Sequence, residues 1–208
     1  IDLDTEAFTP LNDARRQMLA DAGLSVVARE GMRGLTHRAV DTQAAVPLGT
    51  ASNYFRSRAA LIAALVERIG ERLAPDPTVH EAWRDRRPTP SLFAEYARDI
   101  VRRLLADREV TLALFTLRVE AARNPEIAGP LTEWMRTGFA ADVAFNRGAG
   151  LPGGDFEIAL FHYALEGLVL DRLTVSIDPE ISTDAAVEAF VRGILGDDPP
   201  AGQRPVPA

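Results

Sequence analysis

Apolar residues recur at intervals of three and four along almost the whole chain, and nowhere does a strict apolar-polar alternation persist. Successive helical residues turn by about 100°, so this spacing gathers apolar side chains on one stripe, whereas a half-buried strand needs a period of two. The pattern predicts an all-α protein of about nine helices. Leu19, Ala22, Gly23, Val26 and Val27 mark the stripe of a first helix, opening near Thr9-Pro10 with Thr as cap and Pro at the first helical position, and stopped by Gly31. Thr36 caps a second helix to about Ala44, and a very short third runs from Pro47 or Leu48 to Tyr54. Ser57 caps a fourth, whose Leu61, Ile62, Leu65, Val66 and Ile69 form a broad apolar face.

The proline-rich stretch from Pro75 to Pro90 reads as a flexible connection with at most a helical turn around Trp83. Helices follow from Ser91 to Ala106, Asp107 to Ala122, Pro125 or Ile127 to Arg147, Asp155 to Val175, and Thr183 to Leu195. Residues 9–56 are expected to form one domain and 57–196 a second, helical-bundle domain, with residues 197–208, rich in Pro and Gly, as a disordered tail.

The third helix is the odd element, because isolated helices shorter than about 12 residues are marginal in water. Val40, Ala44, Val46, Phe55 and Leu61 are spaced to form the apolar joint of a three-helix unit that holds it, which leaves Thr50, Ser52, Asn53 and Tyr54 mostly outward. A helix-turn-helix presents such a surface to the major groove of DNA. Charge agrees with that partner: residues 9–74 carry nine Arg against six acids, although the whole 208-residue chain has a net charge of −7. A net-basic N-terminal third on an acidic remainder suggests that one end meets a polyanion.

On these residues the chain resembles the tetracycline-repressor (TetR) family of bacterial transcription regulators. "LADAGLSVVAREG", "LTHRAVDTQAAV" and "GTASNYFRSRAAL" are similar, in order and spacing, to that family's first helix, second helix, and reading helix with the start of the fourth. "ALEGLVLDRL" is similar to part of its penultimate helix. Ala45 stands where the family usually has Gly, Pro47 where it has a Ser cap, and Arg58 where it has Lys. The resemblance implies phosphate contacts from Thr36, Thr50, Tyr54 and Arg58, and base-edge contacts from Leu48, Gly49, Ser52 and Asn53. Their chemistry agrees: Asn can pair bidentately with adenine, Leu48 can meet a thymine methyl, and Gly49 permits close approach. Arg38 and Arg56 are further phosphate candidates, and His37 is either another or simply exposed.

One helix-turn-helix reads few bases, so a homodimer on a palindromic double-stranded operator is expected. In the resembling family the last two helices form a four-helix bundle across a two-fold axis; the candidate interface here is Phe161, Leu165, Leu168, Arg172, Val187, Phe190, Val191 and Ile194. Tyr96, Phe115, Arg118, Trp134, Phe139, His162 and Glu166 are candidates to line a site for a small-molecule effector of unspecified chemistry. The chain has no cysteine and no lysine, which excludes thiolate and Schiff-base chemistry, and only three histidines, so neither a metal, a cofactor nor catalysis is expected. No apolar run approaches the roughly 20 residues of a membrane span, and the acidic opening lacks the plan of a signal peptide, so the expected setting is the cytoplasm. The expected function is sequence-specific, ligand-modulated transcriptional regulation, most often repression; the alternative is an all-helical ligand-binding protein or enzyme with a structural N-terminal unit.

Overall fold

The computed structural model describes residues 5–197, with side chains from residue 12; the tail expected to be disordered lies, from residue 198 onward, outside the described residues. Ten α-helices and no strand are present among the described residues: α1 Thr5–Gly34, α2 His37–Gln43, α3 Thr50–Tyr54, α4 Arg58–Arg72, α5 Pro77–Trp83, α6 Pro90–Ala106, α7 Arg108–Ala121, α8 Pro125–Gly148, α9 Asp155–Leu173 and α10 Thr183–Leu195. The chain divides into two compact units. One holds the residues up to 74 together with Asp107–Arg136, and the other holds Pro75–Ala106 with the residues from 137 onward.

In the first unit α1 packs against α2, α4 and α7. Its helical backbone is interrupted at Gly31 (φ 69°, ψ −174°), the stop expected from sequence, and a last turn carries on to Gly34. Upstream it begins at Thr5 rather than Thr9 and runs through Pro10. The stripe of α1 and the buried face of α4 (Leu61, Ile62, Leu65, Val66, Ile69) meet as their spacing requires, with Leu19, Val27, Ile62, Leu65 and Ile69 fully out of water. Around this core, Arg68 grips both carboxylate oxygens of Asp21 (2.8 and 2.9 Å), and Arg72 bridges Asp21 (2.9 Å) to Asp107 (2.6 Å), the N-cap of α7. The hydrogen bond to Asp21 holds the Arg68 guanidinium above its ordinary pKa.

In the second unit α6, α9 and α10 pack on one another. Phe93 of α6 meets Phe161 of α9 at 4.4 Å between ring centroids. The proline-rich connection is not a plain linker: it carries α5, with Pro77 in the first turn and Asp76 as N-cap, accepting from Thr78 N at 2.8 Å. Bonds from the Thr78 side chain and backbone hold the Asp76 carboxyl below the usual carboxylate range.

α2 ends in a Schellman turn, in which Val46 N donates to Asp41 O (3.0 Å) and Ala45 N to Thr42 O (3.2 Å). Ala45 therefore adopts the left-handed backbone (φ 53°) that a glycine would take up freely. A side chain in that region costs roughly 1–2 kcal/mol, partly offset by the extra disorder glycine brings to the unfolded chain. Ala45→Gly should accordingly stabilise the protein by about 0.5–1 kcal/mol, a rise of a few degrees in Tm that a thermal melt by circular dichroism will show.

Candidate nucleic-acid interface

The reading segment starts later than its sequence suggests. α3 spans only Thr50–Tyr54; Pro47 and Leu48 lie in the preceding turn, and Gly49, at φ 93°, is the N-cap. Pro47 is thus not a first-turn helical residue. Its carbonyl instead accepts from Thr50 N (3.1 Å) and Thr50 Oγ1 (2.6 Å), and the left-handed Gly49 redirects the chain into the helix.

Burial sorts the candidate contacts. Ala51 and Phe55 are fully buried, which anchors one side of α3, while Leu48, Gly49, Ser52 and Asn53 on the other side are exposed. Leu48 is 64% exposed. Asn53 makes no side-chain hydrogen bond to the described residues, so its amide is available to a base edge. Thr50 and Tyr54 are half-buried. The Thr50 hydroxyl donates to Pro47 O, and that of Ser52 to Gly49 O (2.9 Å), so each must turn away from its own backbone before it can donate to DNA.

Of the flanking residues, Thr36 caps α2 by accepting from Ala39 N at 3.0 Å, which leaves its hydroxyl proton free to point outward. Thr36 and Arg38 share one open depression of about 340 Å³ with Arg29, Thr42 and Gln43, and Arg56 is also exposed. Arg58 and His37 both turn to carbonyls of the chain itself. Arg58 donates to the carbonyls of Leu35 and Met32 (2.7 Å for the latter), closing the C-terminal end of α1. His37 Nε2 lies 2.8 Å from the Phe55 carbonyl oxygen, an acceptor only, so this nitrogen donates to it, and the ring is half-buried. Asp41, absent from the sequence-based candidates, is buried and accepts from Gly49 N (2.7 Å) and Ala51 N (2.6 Å). The only hint in sequence was an acid in a helix that otherwise presents Val40 inward.

The candidate effector residues do not all fall together. Phe115, Arg118 and Trp134 belong to the first unit, and Tyr96, Phe139, His162 and Glu166 to the second. Trp134 is set against α4, where a Cβ on Gly70 would lie 2.7 Å from its indole nitrogen. His162 pairs with Asp142 of α8 (3.1 Å), with the Phe139 ring 5.6 Å away. Tyr96 is buried in a cluster of rings that sequence did not bring together: His80 at 5.1 Å, Trp83 at 4.8 Å and Phe145 at 5.1 Å. Loss of water among these rings pushes the His80 imidazole below its ordinary pKa, so it is uncharged at neutral pH. Among the described residues no group of three or more His, Asp or Glu is disposed to hold a metal ion, and no helix is long and apolar enough to cross a membrane.

The candidate dimer surface needs correction. Phe161, Leu165, Leu168, Val187 and Val191 are buried within the chain itself and have almost no surface to offer a partner. Arg172 is turned to Ser176 and the Ile181 carbonyl, and Phe190 and Ile194 are half-buried. The outward stripe of α9 is instead Phe156 (70% exposed), Tyr163 (71%), Gly167 and Leu170, and that of α10 is Ala185, Ala189 and Gly193.

Comparison with known proteins agrees with this architecture. The profile of the tetracyclin repressor-like C-terminal domain matches residues 88–197, more than half of the chain. The multidrug binding protein EbrR, in its complex with imidazole, is 27% identical over 93% of this chain and 97% of its own, with a TM-score of 0.65. Other structures of EbrR hold proflavin, ethidium and malachite green. A TetR-family member from Streptomyces coelicolor A3 is 28% identical over 86% of this chain and 98% of its own, with a TM-score of 0.68. A transcriptional regulator from Rhodococcus sp. Rha1, at 22% identity over 86% and 95%, shares the fold with a TM-score of 0.65. No functionally curated protein matches the chain in sequence. An all-helical chain with an N-terminal helix-turn-helix, matched by that profile over its C-terminal half, belongs to the TetR family of DNA-binding transcriptional regulators.

Proposed function

We propose that the protein is a homodimeric, sequence-specific repressor, with residues 9–56 reading DNA and residues 57–196 carrying the dimer contact and a small-molecule effector site. The observation that carries the reading half is α3 itself: a five-residue helix, anchored by buried Ala51 and Phe55, that turns Leu48, Ser52 and Asn53 to solvent. So short a helix has no stability of its own, and the exposed Asn53 amide on it, with Leu48 exposed in the turn before it, is disposed to meet a base edge. Arg38, Arg56 and the Thr36 hydroxyl flank it as phosphate contacts, with Arg58 acting behind them as a brace on α1.

The outward apolar stripes of α9 and α10 support a two-fold contact between copies, which would set two reading helices about 34 Å apart on one face of a duplex. EbrR, a relative, is a multidrug binding protein, and the rings around Tyr96 together with the Phe139, His162 and Asp142 group supply aromatic and acidic surface of the kind a flat aromatic cation would use. An effector that binds better to the arrangement unable to grip DNA lowers DNA affinity by the ratio of its affinities for the two arrangements. No catalytic step enters, and the protein acts beside the chromosome, in the cytoplasm.

Selection of duplexes from a random pool, followed by titration across salt, tests this reading. Asn53→Ala should lose about 1–3 kcal/mol on the selected duplex, with the preference relaxed at one base pair. Arg56→Ala should weaken all duplexes alike and reduce the salt slope by about one. Equal effects of the two variants on every duplex would contradict the division of roles, and failure to enrich any duplex would remove the DNA-reading function.

A further inference from the structure

Almost every backbone group of a five-residue helix is a terminal one, so its direction is decided by whatever satisfies its ends rather than by its own ladder. Both ends of α3 are held by α2. At the start, the Asp41 carboxylate, 1% exposed, uses one oxygen for Gly49 N at 2.7 Å and the other for Ala51 N at 2.6 Å. At the finish, His37 Nε2–H donates to the carbonyl of Phe55, the C-cap residue, at 2.8 Å. His37 and Asp41 are four residues apart and therefore lie on one face of α2, one turn from each other. Their polarity matches what they hold: a carboxylate sits at the positive end of α3 and an N–H donor at its negative end.

We propose that His37 and Asp41 are positioning residues that set the aim of α3, so that operator specificity depends on two side chains that touch no DNA. This rests on α3 being the reading helix. The clamp joins two helices whose connecting turn contains the left-handed Ala45 and Gly49. With one end released, Phe55 and Ala51 still bury their side chains, but the helix can pivot about them. A shift of about 1 Å is enough to spoil bidentate contacts to a base edge, whereas phosphate contacts from flexible arginines survive it. Loss of the clamp therefore reduces discrimination and leaves non-specific attraction in place.

The test uses the full chain with Asp41→Asn, which keeps one acceptor and the approximate shape, beside Asp41→Ala, His37→Ala and the donor-retaining His37→Gln. Hydrogen exchange of the peptide covering residues 47–55 should quicken by about tenfold or more in Asp41→Ala and less in Asp41→Asn, with peptides of α1 and α4 unchanged. Affinity for a duplex enriched from a random pool by the wild-type chain should fall by about tenfold, while affinity for random duplex and its salt slope stay put. His37→Gln should lie nearer the wild type than His37→Ala. Unchanged exchange in residues 47–55, equal quickening throughout residues 12–74, or specific and random affinities that fall together would each overturn the proposal. Should the wild-type chain enrich no duplex, the specificity claim falls with the DNA-reading function beneath it, while the exchange measurement still decides whether the clamp exists.

Discussion

Phe55→Ala is expected to destabilise the N-terminal unit by about 3–5 kcal/mol, lower its melting temperature by on the order of 10 °C and abolish DNA binding at physiological temperature. Phe55 is one of the largest side chains fully removed from water, at the point where α3 ends and the chain turns into α4. The Arg16 guanidinium covers its ring at 5.0 Å from the centroid. Truncation to alanine leaves a cavity beneath a helix that has only one other buried side chain, Ala51, to hold it. The backbone carbonyl that receives the His37 proton is retained in this variant, so the loss reads side-chain packing alone. Phe55→Leu, which keeps most of the volume, should remain within about 1.5 kcal/mol of the wild type and bind DNA. Parallel melts by circular dichroism, with mobility shifts at a temperature where each variant is folded, check both. A Phe55→Ala chain that melts with the wild type would mean that α3 is supported from elsewhere.

How far the fold was legible follows from what periodicity can and cannot encode. α4 has one apolar and one polar face, so its buried residues could be assigned from spacing, and Ser57 does cap it. α9 is apolar nearly all round. A period of 3.6 has no contrast to act on there, which is why Phe161, Leu165 and Leu168 were placed on the outward surface when they face the core. α5 was hidden by surrounding prolines, although Asp76-Pro77 is itself a cap followed by a first-turn proline. The exposed face of α3 was legible as a run of small and polar residues after an apolar joint. Its supports were not: Asp41 reaches residues eight and ten positions away, and Arg58 and His37 turn to carbonyls 18 or more residues distant. Side chains that bind distant backbone leave no spacing signature, and a positive charge beside a DNA-reading helix looks the same whether it meets a phosphate or a carbonyl. The pairing of His162 with Asp142 was invisible for the same reason, since it depends on which face of α8 meets α9.

Tyr163→Glu is expected to convert dimers to folded monomers and to lower operator affinity by about 100-fold or more, because binding of the second half-site then ceases to be intramolecular. Tyr163 is 71% exposed on the stripe of α9 that also presents Phe156, Gly167 and Leu170, on the side away from Ile158, Phe161 and Val169. A two-fold contact places each substitution in the interface twice, so two unpaired carboxylates would lose water at once, and each such burial costs several kcal/mol. The protomer does not pay for it, since the residue is solvated in the monomer. Phe161→Glu, only two positions earlier, makes the contrast: that ring is 3% exposed and lies against Phe93, so a charge there should unfold the second unit rather than separate the copies. Light scattering and circular dichroism on the two variants distinguish the cases. The outward assignment of the stripe requires Tyr163→Glu to be monomeric and helical and Phe161→Glu to lose helix. If Tyr163→Glu stays dimeric with its operator affinity intact, the copies meet through some other surface, and the apolar exposure of α9 must serve a different partner.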